Sequence, residues 1–174
     1  MGYTTDFSGS FQLDKPLASE HQAFLVKFAG TRRMQRDADI TSEREDPVRE
    51  ATGLPVGEEG AYFVGEGGFA GQGESGFGSR PEDVINYNAP PEGQPGLWCQ
   101  WVPNEEGTEI RWDGGEKFYS YVEWLEYLIT HFLTPWGYVL NGKVEWLGEE
   151  RSDIGRIVVE NNEVTTAPGF LEWR

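Results

Sequence analysis

One cysteine, Cys99, and two histidines, His21 and His131, are the only thiol and imidazole groups in the 174 residues. A lone thiol rules out an internal disulfide, and three Cys and His side chains cannot complete a four-ligand structural zinc site. Cations are scarce too: fourteen Lys and Arg stand against thirty Asp and Glu, a formal net charge of −16. That balance disfavours direct nucleic-acid binding through the phosphate backbone, and it suits either solubility or the presentation of carboxylates to a basic partner. Long apolar runs are absent, and no charged-then-apolar leader follows Met1. The chain therefore reads as cytoplasmic, with no membrane span and no cofactor motif.

What the chain has in quantity is aromatic side chains. Six of the seven tryptophans fall between Trp98 and Trp146, with Phe118, Tyr119, Tyr121, Tyr127, Phe132 and Tyr138 among them. Such density makes either a filled core or a stacking platform for a planar ligand.

Periodicity orders the rest. Tyr3, Thr5, Phe7, Gly9, Phe11 and Leu13 alternate as on a half-buried strand. Leu17, His21, Phe24, Leu25 and Phe28 recur at helical spacing after Pro16, and Gly30 marks a stop. Residues 31–52 carry five arginines and six acids with few apolar residues, which predicts an exposed loop or marginal helix that cannot pack deeply. Residues 65–78 are half glycine and read as a loop flanked by short strands at 61–64 and 83–87. After a proline-rich turn at 89–95, strands at 97–102 and 109–112 should form a hairpin over Asn104 and Gly107.

Asp113 and Glu116 have capping-box spacing, which predicts a helix starting there, with a buried stripe of Phe118, Val122, Leu125, Ile129 and Phe132 and a stop at Pro135. Asn141-Gly142 is a strong hairpin signal. Yet Tyr138, Leu140, Gly142, Val144 and Trp146 alternate through it, so one continuous strand is expected. Gly9 and Gly142 would then face inward and let a helix approach the sheet. A last hairpin, 156–160 with 163–166, turns at Asn161-Asn162, and 167–174 reads as a tail. The expected architecture is α+β: a single domain over residues 1–166, with irregular regions at 31–60 and 65–80. Its single antiparallel or mixed sheet should carry two helices packed on one face.

Several segments carry a resemblance: Met1-Gly-Tyr-Thr-Thr5, Thr31-Arg-Arg-Met34, Gln94-Pro-Gly-Leu-Trp-Cys-Gln-Trp101, Trp112-Asp-Gly-Gly-Glu-Lys-Phe118 and Pro135-Trp-Gly-Tyr-Val-Leu-Asn-Gly142. In these the chain resembles a group of hypothetical proteins of bacteria and their phages, outside residues 40–80 or so. The resemblance implies a microbial or viral setting in which small acidic proteins serve as accessory or counter-defence factors. It transfers no catalytic residue.

Motifs for chemistry are few. Gly71-Gln-Gly-Glu-Ser-Gly76 has dinucleotide-fingerprint spacing, but no helical pattern follows and Glu66 and Glu74 would repel a pyrophosphate. Glu149, Glu150 and Asp153 could approach a hard cation, though exposed acidic turns are commoner. Cys99 shares a strand side with Leu97 and Trp101 and reads as core, His21 as a boundary residue. His131, near a helix C-terminus, is placed where a partly charged imidazole is favoured. No catalytic or metal-ligating set emerges.

Arg32, Arg33 and Arg36 form a local basic cluster whose guanidinium forks suit a phosphate or carboxylate. Against that stands pairing with Asp37, Asp39 and neighbouring acids. Trp98 and Trp101 lie three steps apart, hence on opposite strand faces, leaving one of them off the main core. Trp112 and Tyr119 could stack a base whose edge Asn86, Asn88 and Gln100 could read. These residues define a non-enzymatic binding protein that holds a small anionic aromatic ligand such as a nucleotide. The alternatives are an acidic protein that blocks a basic host protein as a nucleic-acid mimic, and a carboxylate-based hydrolase.

Overall fold

The structure, a computed structural model, describes residues 2–68 and 82–169. In chain order its elements are β1 (Thr5–Leu13), α1 (Ser19–Ala29), β2 (Gln35–Arg36), α2 (Ala38–Thr41), α3 (Pro47–Glu50), β3 (Val84–Asn86), β4 (Trp101–Pro103), β5 (Glu109–Trp112), α4 (Tyr121–Leu128), β6 (Leu140–Gly148), β7 (Ile154–Glu160) and β8 (Glu163–Pro168). The chain divides into two compact units: Met1–Leu17 with Gln100–Arg174, and Ala18–Cys99. The first is discontinuous in sequence and the second is contiguous. The fold class is α+β, as expected, but with two sheets where the sequence suggested one. A six-stranded antiparallel sheet of order β4-β5-β1-β6-β7-β8 builds the first unit, and β2 and β3 form a two-stranded sheet in the second.

Alternation fixes the register of the large sheet. Phe7 pairs with Trp146 and that with Gly155; Phe11 pairs with Gly142 and that with Val159. One face thus gathers Thr5, Phe11, Leu13, Leu140, Val144, Ile157 and Val159, all buried, while Asp6, Ser8, Gln12, Asn141, Lys143, Glu145 and Arg156 on the other face are exposed. β6 runs unbroken through Asn141-Gly142, because a turn there would have split one buried face into two short pieces. The true hairpin turn is Asn161-Asn162, both residues at positive φ (48° and 70°), the conformation of a two-residue hairpin loop.

The strand glycines depart from expectation. A Cβ on Gly9 (φ +102°) would stand 2.8 Å from the Lys143 carbonyl oxygen, and one on Gly142 (φ +139°) 2.9 Å from that of Ser10. What approaches them is the partner strand's backbone, not a helix.

The helix after β5 also starts later than the capping box suggested. The Asp113 carboxylate accepts from Gly115 N at 2.7 Å, closing a tight local turn, and Lys117 and Ser120 both take positive φ. Helical backbone begins only at Tyr121. At the other end Pro135 does not stop it. The helix widens into a π turn, Ile129–Leu133, and continues through Thr134–Trp136 to Gly137 at φ +90°. Proline has no N–H to give the carbonyl four residues back and its ring crowds that group, so a wider turn relieves both defects.

In the second unit, residues 31–52 pack deeply, contrary to expectation. Arg33, Arg36, Thr41, Asp46 and Arg49 are all buried. Low apolar content was offset by pairing charges inside. Residues 61–64 form a turn rather than a strand, following a 3-10 turn at Glu58–Gly60. Of the glycine-rich stretch, residues 69–78 lie outside the described residues, as does the tail beyond 169. Residues 167 and 168 still belong to β8. Among the described residues no helix is long and apolar enough to cross a membrane.

Candidate functional site

The arginine cluster and its surroundings lie in the second unit, and most of its guanidinium groups are used internally. Arg36 is 2% exposed and Asp83 1%; Nη1 of the arginine donates to Oδ2 of the aspartate at 2.7 Å. Thr41 Oγ1 donates to the same carboxylate oxygen at 2.9 Å, and Arg44 Nη1 reaches Oδ1 at 3.2 Å. Both guanidinium groups stand over the Phe63 ring, at 4.7 and 5.2 Å from its centre. Burial pushes the Asp83 carboxyl up, but Arg36, Thr41 and Arg44 together hold it below its ordinary value. Burial lowers Arg36 in turn, against the pull of Asp83.

A second pair follows the same logic. Arg49 Nε donates to Asp46 Oδ2 at 2.6 Å, and the other oxygen of that carboxylate accepts from Gly65 N at 2.8 Å. Arg33, 2% exposed, lies over Phe28 and donates to the Ala61 carbonyl at 2.8 Å and to Gln94 Oε1 at 3.3 Å. Neither Arg33 nor Arg36 therefore presents a fork to a ligand, and their partners are not the Asp37 and Asp39 considered from sequence. Arg32 differs. It is half-buried, stacks at 4.0 Å over Tyr87 and donates to the Tyr87 carbonyl and to Asn88 Oδ1. Asn86 beside it is exposed, and its side chain accepts from Asn88 N at 2.9 Å. Trp98, in the same unit, is half-buried.

These pairings draw positive charge inward, leaving Lys27, Arg32 and Arg44 half-covered. Among its described residues no Lys or Arg is exposed, whereas Glu20, Asp39, Glu43, Glu45, Glu50, Glu58, Glu66, Glu82 and Glu92 all are.

Gln100, Trp101, Trp112 and Tyr119 belong to the first unit, so the nine sequence candidates divide between two bodies. Trp101 is fully buried and donates its indole N–H to the Tyr121 carbonyl at 2.8 Å. Phe7 is the hub of its surroundings, with ring centres of Trp101, Trp112, Phe118 and Tyr121 at 4.9 to 5.8 Å. Two of these pairs, with Trp101 and Tyr121, meet edge to face and the other two are tilted, the geometry of a packed core. Gln100 Oε1 accepts from Trp112 Nε1, which also donates to Gly115 O at 3.2 Å. Tyr119 is 54% exposed, and its hydroxyl accepts from Tyr3 N. The aromatic segment is thus mainly core, with Trp112, Tyr121 and Trp146 half-buried at its rim.

At that rim Asp153 accepts from the Tyr3 hydroxyl at 2.7 Å and from Trp146 Nε1 at 3.0 Å, while Thr4 N donates to Glu149. Burial, with the nearby Asp153 charge, pushes the Tyr121 phenol up to about 12. The acids of the 149–153 turn therefore hold strand ends together, and no three-ligand metal group occurs among the described residues. Cys99 is buried, in keeping with a core role. Burial lowers both His21 and His131, and the latter stacks on Tyr127 at 3.9 Å. For His131 the direction is opposite to the partly charged imidazole expected near a helix end, and desolvation by burial is its cause.

Sequence reasoning missed Asp83, Thr41, Asp46 and Phe7 as organising residues. Asp83 precedes Val84 and Ile85, and an acid entering a short apolar strand was the one available signal. Among the described residues of the first unit, one concavity is lined by strand residues around Glu145 and Arg156, and another by Ser120, Tyr121, Glu123, Trp146 and Thr166. No protein-family model, curated protein or solved structure matches the chain.

Proposed function

We propose that the protein is a non-enzymatic acidic binding protein that engages a basic partner, using the surface of residues 18–99. One observation carries this reading: in that unit the described arginines and lysine are drawn inward or half-covered, so that every fully exposed charge among its described residues is acidic. Charge of one sign over a surface steers and selects a partner of the other sign, and the attraction weakens as salt screens it. A counter-defence role against a nucleic-acid-binding host protein is one setting in which such a surface would serve. With polylysine as the probe, we expect binding that falls steeply with ionic strength. Replacing Glu43, Glu45 and Glu50 by Gln should weaken it by about tenfold or more. The same number of replacements in the other unit, at Glu149, Glu150 and Glu163, should have little effect. Equal losses from both triples would show that net charge alone is responsible.

A second reading, a small anionic aromatic ligand, is favoured by one arrangement only: the half-exposed Arg32 stacked on Tyr87, beside Asn86 and Asn88. Titration with a nucleoside monophosphate should then show saturable binding that Arg32→Gln removes; no heat above dilution with the unaltered protein sinks it.

A further inference from the structure

On the exposed face of the large sheet, β1, β6 and β7 form a concavity of about 320 Å³. That is the lower end of the range for small-ligand sites, roughly 300–1,000 Å³. Its walls are two cross-strand rows, Asp6–Leu147–Ile154 and Ser8–Glu145–Arg156, fixed by the strand register. Gly155 and Gly169 line it as well, without side chains to fill it.

The charges here are unusual for a sheet surface. Glu145 and Arg156 stand directly opposite on neighbouring antiparallel strands, where side chains are about 5 Å apart at Cβ and opposite charges ordinarily join. Their side chains form neither an ion pair nor a hydrogen bond, and the side chains of Asp6 and Ser8 also bond to no described residue. Beside the Glu145–Arg156 pair, in the neighbouring row, lies an apolar spot, Leu147 at 44% exposure with the half-buried Ile154 across from it. A splayed acid and base beside an apolar patch is complementary to a molecule that carries both charges next to an apolar group.

We infer that this concavity binds a free α-amino acid with an apolar side chain. The ammonium group donates to the Glu145 carboxylate, with Asp6 adding negative potential. The carboxylate accepts from the Arg156 guanidinium, and the side chain lies over Leu147 and Ile154. Blocking either charged end of the ligand removes one charge-assisted hydrogen bond and leaves a protein charge facing it unanswered.

The test is titration of the full chain with L-leucine and L-phenylalanine, followed by the backbone amide signals of Ser8, Glu145 and Ile154. Saturable shifts at these residues are expected, with N-acetyl-L-leucine and L-leucinamide each weaker by about tenfold or more. Arg156→Gln should abolish the preference for leucine over leucinamide while keeping that over N-acetyl-leucine, and Glu145→Gln should do the converse. Retained amide dispersion would confirm that each variant folds. Absence of shifts with the unaltered protein, equal affinity for the blocked ligands, or preferences that neither variant alters would overturn the assignment.

Discussion

Arg36 is held on one side by Asp83 and on the other by the Phe63 ring, yet its buried Nη2 has no hydrogen-bond partner among the described residues. Two arginines share the single Asp83 carboxylate, so that acid answers more positive charge than its own. Removing it would leave Arg36 buried and uncompensated. Asp83→Ala should therefore cost about 3–5 kcal/mol in urea unfolding, the usual penalty for breaking a buried pair. The same residue sets a pH dependence. Its folded pKa lies below the unfolded value, so its stabilisation is complete above the ordinary carboxylate range and disappears as pH falls through the folded value. The unaltered protein should lose stability in acid more steeply than Asp83→Asn, as measured by thermal unfolding between about pH 5 and pH 2. The sequence allowed that these arginines pair with Asp37, Asp39 and neighbouring acids, but not which acid Arg36 meets, since 47 residues separate it from Asp83.

At the scale of elements, β1 and β6 depend on two glycines that let their backbones meet. Gly142→Ala would place a methyl group 2.9 Å from the Ser10 carbonyl oxygen and 3.0 Å from Phe11 Cα, at a φ of +139° that L residues seldom adopt. A loss of more than about 1 kcal/mol is expected in chemical denaturation, because strain at such a position exceeds the entropy alanine saves in the unfolded chain. Gly53→Ala offers a contrast: its φ is also positive, at +80°, but no atom lies within 4 Å of the added methyl group. It should cost less. Element types with strong period were readable in advance, as α1, β1 and the unbroken β6 illustrate. The start of α4 was not, because the Asp113 carboxylate found a nearer donor in Gly115 N than any helical turn could offer. The hidden arginines of residues 31–52 were not either, since hydropathy reports the cost of burying a charge and not the presence of its partner.

For the molecule as a whole, a formal charge of −16 means that compaction brings like charges together. Screening should relieve that repulsion, so the melting temperature is expected to rise between about 0.01 M and 0.15 M sodium chloride, where the screening length shortens from roughly 30 Å to 8 Å. A melting temperature that falls over this range would mean that the surface pairs, and not the excess of acids, dominate the electrostatics. Of the candidate site, the sequence revealed the residue types but not their division between two units: Arg32 and Asn86 on one, Trp101 and Trp112 on the other.

The discontinuity of the first unit bears on how the chain comes off the ribosome. β1 is made first, yet both strands that flank it, β5 and β6, come after the whole of Ala18–Cys99. The contiguous unit can complete its contacts while synthesis continues. One edge of β1 must wait until Trp112 has emerged and the other until Gly148 has, so the nascent protein passes through a stage in which β1 is unpaired while the unit that follows it is already complete.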